Sequence, residues 1–277
     1  MSASLHPVSP GCGVEVRGVE LARLSNSDLS LIRDAFHEHG VIFLRDQTFT
    51  KDDHLAFARR WGEIVINEHF PELADTPEIA VVIKEADQKT NIGGGWHADH
   101  SYDPAPALGS ILVARDVPEC GGDTMFAHLA RAFDTLSDGL KANLRSLRAL
   151  HSSRQIYGPG GAYEGTDLKQ VLKADGALSD AIHPVVIRHP QTGRKMLYVN
   201  TAFTIHFVGQ TREESMPLLQ KLCDAALTET NQCRLEWKPG TIAIWDNRTT
   251  WHNAINDYQG HYREMHRITL SGEALAA

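Results

Sequence analysis

The stretch GGGWHADHSYD, Gly93 to Asp103, sets two histidines and two aspartates behind three glycines. His97 and Asp99 form an H-x-D triplet. In extended chain, positions i and i+2 point to the same side, so both side chains could reach one metal ion. Two histidines and a carboxylate on one face of an ion, with the other face open, are the donor set of non-haem iron sites that activate oxygen. By itself the triplet carries little weight. With 15 histidines and 19 aspartates in 277 residues, about one H-x-D arises by chance, and one is present.

The weight comes from a second stretch, WDNRTTWHNAINDYQGHYREMHR, Trp245 to Arg267. It offers another histidine, His252, and two arginines four apart, Arg263 and Arg267. On a strand, residues four apart share a face, so both guanidinium groups would point inward beside Met265. Two buried cations on one face are costly unless anions meet them. An anionic co-substrate and an anionic substrate would account for both. The alternative is that each pairs with a structural carboxylate such as Asp246 or Asp257.

The elements that must position these groups are mostly strands. Short β-type runs bounded by Gly, Pro and Asn/Asp turns are expected at Gly13–Arg17, Val41–Leu44, Ile79–Ile83, Ser110–Ala114, Val185–Arg188, Met196–Val199, Arg234–Trp237, Thr241–Trp245 and Arg267–Leu270. Ser25 to Asp28 resembles a capping box. It opens a helix with Leu29, Ile32 and Phe36 on one face and Gly40 as its stop. Thr50 caps a second helix, with Leu55, Ala58 and Trp61 on one face and Gly62 as its stop. Leu136–Leu147 and Arg212–Thr228 read as two more. Many short strands with a few helices outside them point to a β-sandwich or jelly roll. Trp245-Asp246-Asn247 reads as a turn. Glu85–Gly95 and Tyr157–Asp180 read as mobile segments, either lids over a site or plain surface connections.

The bulk composition excludes several classes. There is no repeat, no low-complexity tract and no linker, so residues 1–277 read as one domain. A net charge of -8 argues against nucleic acid as a partner, since phosphate affinity rests on clustered Lys and Arg. No apolar run approaches the ~20 residues of a membrane helix, so no membrane partner is expected. The N-terminus lacks the basic start and apolar core of a secretory signal. The four cysteines, Cys12, Cys120, Cys223 and Cys233, form no C-x-x-C pair, which fits a reducing cytoplasm.

Five elements in register resemble the taurine dioxygenase / 2,4-D dioxygenase family of Fe(II)- and 2-oxoglutarate-dependent oxygenases. They are W-H-A-D at Trp96–Asp99, G-G-D-T at Gly121–Thr124, L-Y-V-N at Leu197–Asn200, W-D-N-R at Trp245–Arg248, and His252 followed by Arg263 and Arg267. The resemblance runs from near residue 13 to near residue 271. It implies a mainly β fold with flanking helices around a double-stranded β-helix, the jelly-roll or cupin-like core. It implies His97, Asp99 and His252 as iron ligands. Thr124 and Arg263 would hold the distal carboxylate of 2-oxoglutarate, a task that suits the guanidinium's bidentate fork. Arg267 would hold the anionic end of a small organic substrate, such as a sulfonate, a sulfate ester or an (aryloxy)alkanoate. Phe203 matches a family aromatic near the substrate, and Asn200 serves the fold or the ligands' surroundings. The implied reaction consumes 2-oxoglutarate and O2, releases succinate and CO2, and hydroxylates the substrate, in some cases cleaving it. Family members are often dimers or tetramers, so a homo-oligomer is possible.

Two positions depart from the taurine-specific pattern. Asn67 stands where those members carry a histidine, with His69 close by, and Gly93 where they carry an asparagine. The loss at Gly93 removes a polar contact and opens space, which points away from taurine and toward a bulkier body. Two readings compete with the oxygenase. A non-redox jelly-roll isomerase or hydrolase could hold Zn²⁺ or Mn²⁺ on the same ligands, and a non-catalytic module could retain a metal site.

Overall fold

In the computed structural model, residues 3–173 and 176–277 are described. A nine-stranded sheet forms one wall. Its path runs Ser4–Pro7, Val14–Arg17, Val41–Leu44, Ile242–Asp246, Gly109–Asp116, Arg263–Leu270, Thr76–Lys84, Glu72–Leu73, and Ile64–Val65 pairs beside Arg263–Leu270. Facing it is a three-stranded sheet, Gln232–Leu235, Thr124–His128 and Thr250–Ala254. Arg148–Ser152, between Asp180–Pro184 and Thr204–Phe207, forms a further three-stranded sheet, and Val186–Arg188 pairs with Lys195–Leu197. Pairing is antiparallel except between Val14–Arg17 and Val41–Leu44. This is the jelly-roll core expected from the sequence.

Strand alternation explains how one sheet serves two cores. Ile42, Leu44, Ile111, Val113, Ile242, Ile244, Ile268 and Leu270 face outward against the helices. Their neighbours Val41, Phe43, Ala114, Ala243, Trp245 and Met265 face inward against Phe126, Cys233 and Leu235 of the smaller sheet. The same parity turns Arg263 and Arg267 into the sandwich. The run expected at Arg267–Leu270 extends back to Arg263, so both arginines lie within the strand.

The helices begin where their caps say they should. Asn26–His39 starts after Ser25, whose hydroxyl accepts from the Asp28 N–H, and ends at Gly40 with φ 75°. Only that half of the expected capping box forms; Asp28 Oδ2 accepts from Ser25 Oγ rather than from the Ser25 N–H. Thr50 and Asp53 make the complete box for Lys51–Arg59. This helix ends before Trp61 and Gly62, yet Trp61 still packs edge-on against Phe36 at 4.9 Å. Leu136–Leu147 is not one helix. Ser137 caps Asp138–Leu144, and an unforeseen helix, Leu129–Thr135, precedes it. Arg212–Ala226 falls inside its expected range.

Candidate active site

His97 lies opposite His252 in an isolated antiparallel bridge. The two residues exchange both backbone hydrogen bonds, at 3.1 and 2.8 Å. The ladder therefore presents two imidazoles side by side, with ring centroids 4.0 Å apart. Asp99 closes the triad from a turn rather than from a continuing strand. Asn247 Oδ1 accepts its backbone N–H at 3.3 Å. The next residue, His100, has φ 57°, so strand alternation fails there. Its side chain is only 12% exposed and bonds Asp103 at 2.8 Å.

The three ligating groups converge. One donor atom from each of His97, Asp99 and His252 lies within 4.8 Å of the others. His97 Nε2 and His252 Nε2 are each 3.7 Å from a different Asp99 oxygen. His97 Nδ1 stands 2.9 Å from the Gly95 carbonyl. Donation to that carbonyl fixes the proton on Nδ1 and leaves Nε2 free for an ion. Asp99 Oδ2 accepts from Ser110 Oγ at 3.1 Å, and Oδ1 from Arg267 Nη1 at 3.4 Å. Burial would raise the Asp99 carboxyl, but the Arg267 guanidinium beside it outweighs this and holds the group well below the usual carboxylate range. Burial, followed by the neighbouring His97, keeps the His252 imidazole neutral. An ionised carboxylate beside two imidazoles, with nitrogen lone pairs directed inward, suits a divalent iron ion.

Both arginines are buried, at 5% and 7% exposure, and line the same cavity as the triad. The Nε of each is enclosed without a hydrogen-bond partner. Neither pairs with the structural carboxylates considered above. Asp246 is taken by Arg248 at 2.6 Å and His189 at 3.0 Å, and Asp257 by the Gly122 N–H and Arg234. The second group of close metal-ligating side chains, His37, His189 and Asp246, is thus already neutralised by a guanidinium. Arg263 sits between the Trp237 and Tyr258 rings, 5.9 Å from each. Beside it Thr124 Oγ1 accepts from Trp237 Nε1 at 2.9 Å, so its own proton is free to donate. Arg267 lies over the Phe70 ring at 4.7 Å.

Of the residues singled out from the sequence, His97, Asp99, His252, Thr124, Arg263, Arg267, Gly93 and Phe203 line one cavity. Gly93 has φ 80°, and a Cβ there would sit 3.6 Å from His97 Cε1 and 4.0 Å from Nε2, against the ligating side of the ring. Asn67 is not among the lining residues. Its Oδ1 is engaged by the His69 and Phe70 N–H groups, an Asx-type turn. Asn200 supports the ligand loop, donating to Ser101 at 2.9 Å.

Four contributors were not foreseen. Trp245 lines the cavity and packs on His252 at 4.7 Å, although its motif reads as a turn. Ser110 carries no local signal. Tyr157 and Tyr163 line the cavity from the segment expected to be mobile, of which residues 174 and 175 lie outside the described residues. That segment is tied down: Asp167 accepts from the Lys89 and Thr90 N–H groups, and the Tyr163 hydroxyl from the Gly93 N–H. Leu168 is buried beside Phe70, Ala80 and Ile92.

The family model of the taurine catabolism dioxygenase TauD, TfdA family matches residues 4–269. This chain belongs to the TauD/TfdA family. An alkylsulfatase of Acinetobacter baylyi is 34% identical over 94% of this chain and 82% of its own. A (S)-phenoxypropionate/alpha-ketoglutarate-dioxygenase of Sphingobium herbicidovorans is 32% identical over 96% and 94%. A taurine dioxygenase structure from Burkholderia xenovorans superposes with a TM-score of 0.84 at 31% identity, covering 99% of this chain and 93% of that one. The TauD/TfdA chain described here is an oxidoreductase, a 2-oxoglutarate-dependent dioxygenase using Fe(II) and O2. The isomerase, hydrolase and non-catalytic readings fall with that assignment.

Proposed function

We propose that this dioxygenase hydroxylates a small anionic organic molecule, a sulfonate, sulfate ester or (aryloxy)alkanoate, and cleaves it where the attacked carbon bears oxygen or sulfur. The observation that carries this reading is the pair of buried arginines on one strand face, each with an unpartnered Nε. One cation suits the co-substrate's distal carboxylate; the other meets Asp99 only through Nη1, at 3.4 Å, which leaves its Nε for a second anion. Iron held by His97, Asp99 and His252 supplies oxygen activation coupled to the oxidative decarboxylation of 2-oxoglutarate to succinate and CO2.

The chain's own groups do the positioning. Arg263 and Thr124 grip the far end of 2-oxoglutarate. Arg267 holds the substrate's anion beside the triad, Phe203 bounds its body, and Gly93 leaves room above His97. Ser110 and the Gly95 carbonyl keep two ligands in their binding orientation. Tyr157 and Tyr163 exclude water from above. Residues 1–277 serve as one catalytic domain. The four free cysteines fit a cytoplasmic setting.

The test is direct. Purified protein with Fe(II), ascorbate and oxygen should convert 2-oxoglutarate to succinate, faster when the right anion is added. Sulfonates, alkyl sulfates, aryloxyalkanoates and amino-acid-like carboxylates form the panel. No acceleration by any of them would overturn the substrate class.

A further inference from the structure

The cavity at the triad is small, about 70 Å³, and Ile156, Tyr157 and Tyr163 form part of its wall. The same three residues line a second cavity of about 350 Å³. They therefore form a partition with a chamber on each side. The second volume falls in the range of small-molecule pockets, ~300–1,000 Å³. Pro159, Leu172 and Leu178 give it an apolar side, and Glu164, Lys169 and Lys173 a charged one.

The partition's two tyrosines are held differently. Tyr163 is held through its hydroxyl, which accepts from the Gly93 N–H at 3.1 Å. The Tyr157 ring stacks on His69, with centroids 4.0 Å apart and planes 6° from parallel. Its hydroxyl has no hydrogen-bond partner among the described residues. Gly158, Gly160 and Gly161 follow directly, and Gly160 has φ 76°. Rotating Tyr157 would cost its ring contacts with His69, Tyr102 and Tyr163 but no hydrogen bond, and would widen the way between the two cavities.

We propose that the substrate's body passes Tyr157 into this second chamber. The substrate is then an amphiphilic anion, with a compact anionic head at Arg267 and an apolar chain or ring between Pro159, Leu172 and Leu178. This rests on the reading of Arg267 as the substrate's anion site. It extends that reading by assigning a tail site, formed by the segment after Tyr157, that sets chain-length preference.

The probes are linear ethane-, butane-, hexane- and octanesulfonate. They bind without turnover to anaerobic enzyme loaded with Fe(II) and 2-oxoglutarate, and calorimetry reads the Kd. Once the chain outgrows the inner cavity, Kd should fall about fourfold per added methylene, the value for burying a CH₂ group. Leu178→Trp and, independently, Leu172→Trp fill the chamber and should flatten that slope toward onefold. The slope is measured within each variant, so a general loss of affinity does not imitate the effect. A flat series in the unaltered enzyme overturns the proposal, as does an unchanged slope in both filled variants. An aerobic succinate assay separates the two readings. Succinate release stimulated by ethanesulfonate alongside a flat series overturns the tail site alone. A steep series that the tryptophans flatten, without succinate release, upholds the tail site and overturns the oxidative reading alone.

Discussion

Arg263 and Arg267 sit four residues apart on one strand face, yet they meet different kinds of wall. Around Arg263 the wall is strand and strand end, closed by the Tyr258 ring from the connection after Thr250–Ala254. Thr124 comes from the central strand of the small sheet, and Trp237 follows its neighbour Gln232–Leu235. Around Arg267 the wall is loop. Phe70 follows the turn made by Asn67, Gly93 lies in the glycine run, and Tyr157 and Tyr163 come from the segment clamped by Asp167. A ladder fixes side chains through many cooperative backbone bonds, whereas a loop is held by a few named contacts. The difference suits the two tasks. The co-substrate is common to the family, while the substrate differs from one relative to the next. Variation can accumulate in the loop wall without disturbing the sheet wall.

Breaking the triad that both halves share has the largest expected effect. Asp99→Ala removes a ligand and leaves Arg267 facing two imidazoles. Succinate formation should fall by more than about a hundredfold, the most that loss of a supporting partner alone removes. Full turnover and iron content in that variant would show the centre to lie elsewhere.

The two arginines then split the comparison. Arg263→Ala should raise the KM for 2-oxoglutarate by about a hundredfold or more, since a buried carboxylate loses its charged partner. Slow substrate-independent decay of 2-oxoglutarate should fall with it. An unaltered 2-oxoglutarate dependence would remove Arg263 from its role. Arg267→Ala should weaken the accelerating anion by roughly thirtyfold, within the range for a hydrogen-bonded charge. Uncoupled 2-oxoglutarate decay should persist. If affinity for the anion stayed the same, the assignment of the second cation would be lost.

The smallest effect belongs to the loop wall's own clamp. Asp167→Ala releases the Lys89 and Thr90 N–H groups. Coupling of succinate to hydroxylated product should drop a few-fold, with little change in 2-oxoglutarate KM, because exposed hydrogen bonds contribute about 1 kcal/mol. Equal losses on both sides of the strand would contradict the separation of the two walls.

Much of the site was legible because its chemistry is carried by residue type and order. His97, Asp99, Thr124, His252, Arg263 and Arg267 were named from spacing and resemblance, and they line one cavity. The strands that carry two of them were not foreseen. Thr124–His128 reads TMFAH and Thr250–Ala254 reads TWHNA. Each mixes histidine, alanine or asparagine into a short run, so local propensity is weak. Their pairing with each other and with Gln232–Leu235 supplies what the propensity lacks. The extended H-x-D was half right, since His97 bridges to His252 but Asp99 needs a turn.

The sequence by itself determined the donor set, the two cations and the parity that turns both inward. Those follow from side-chain chemistry and from the two-residue repeat of a strand, which are local properties. Only the tertiary structure decided which acids the cations do not meet, that Asn67 turns away into its own loop, and that Ser110 steadies Asp99. It also decided that Tyr157 lines two cavities. These depend on segments far apart in the chain meeting at hydrogen-bond distance. No local pattern encodes such a meeting, because it is the packing of the whole sandwich that sets it.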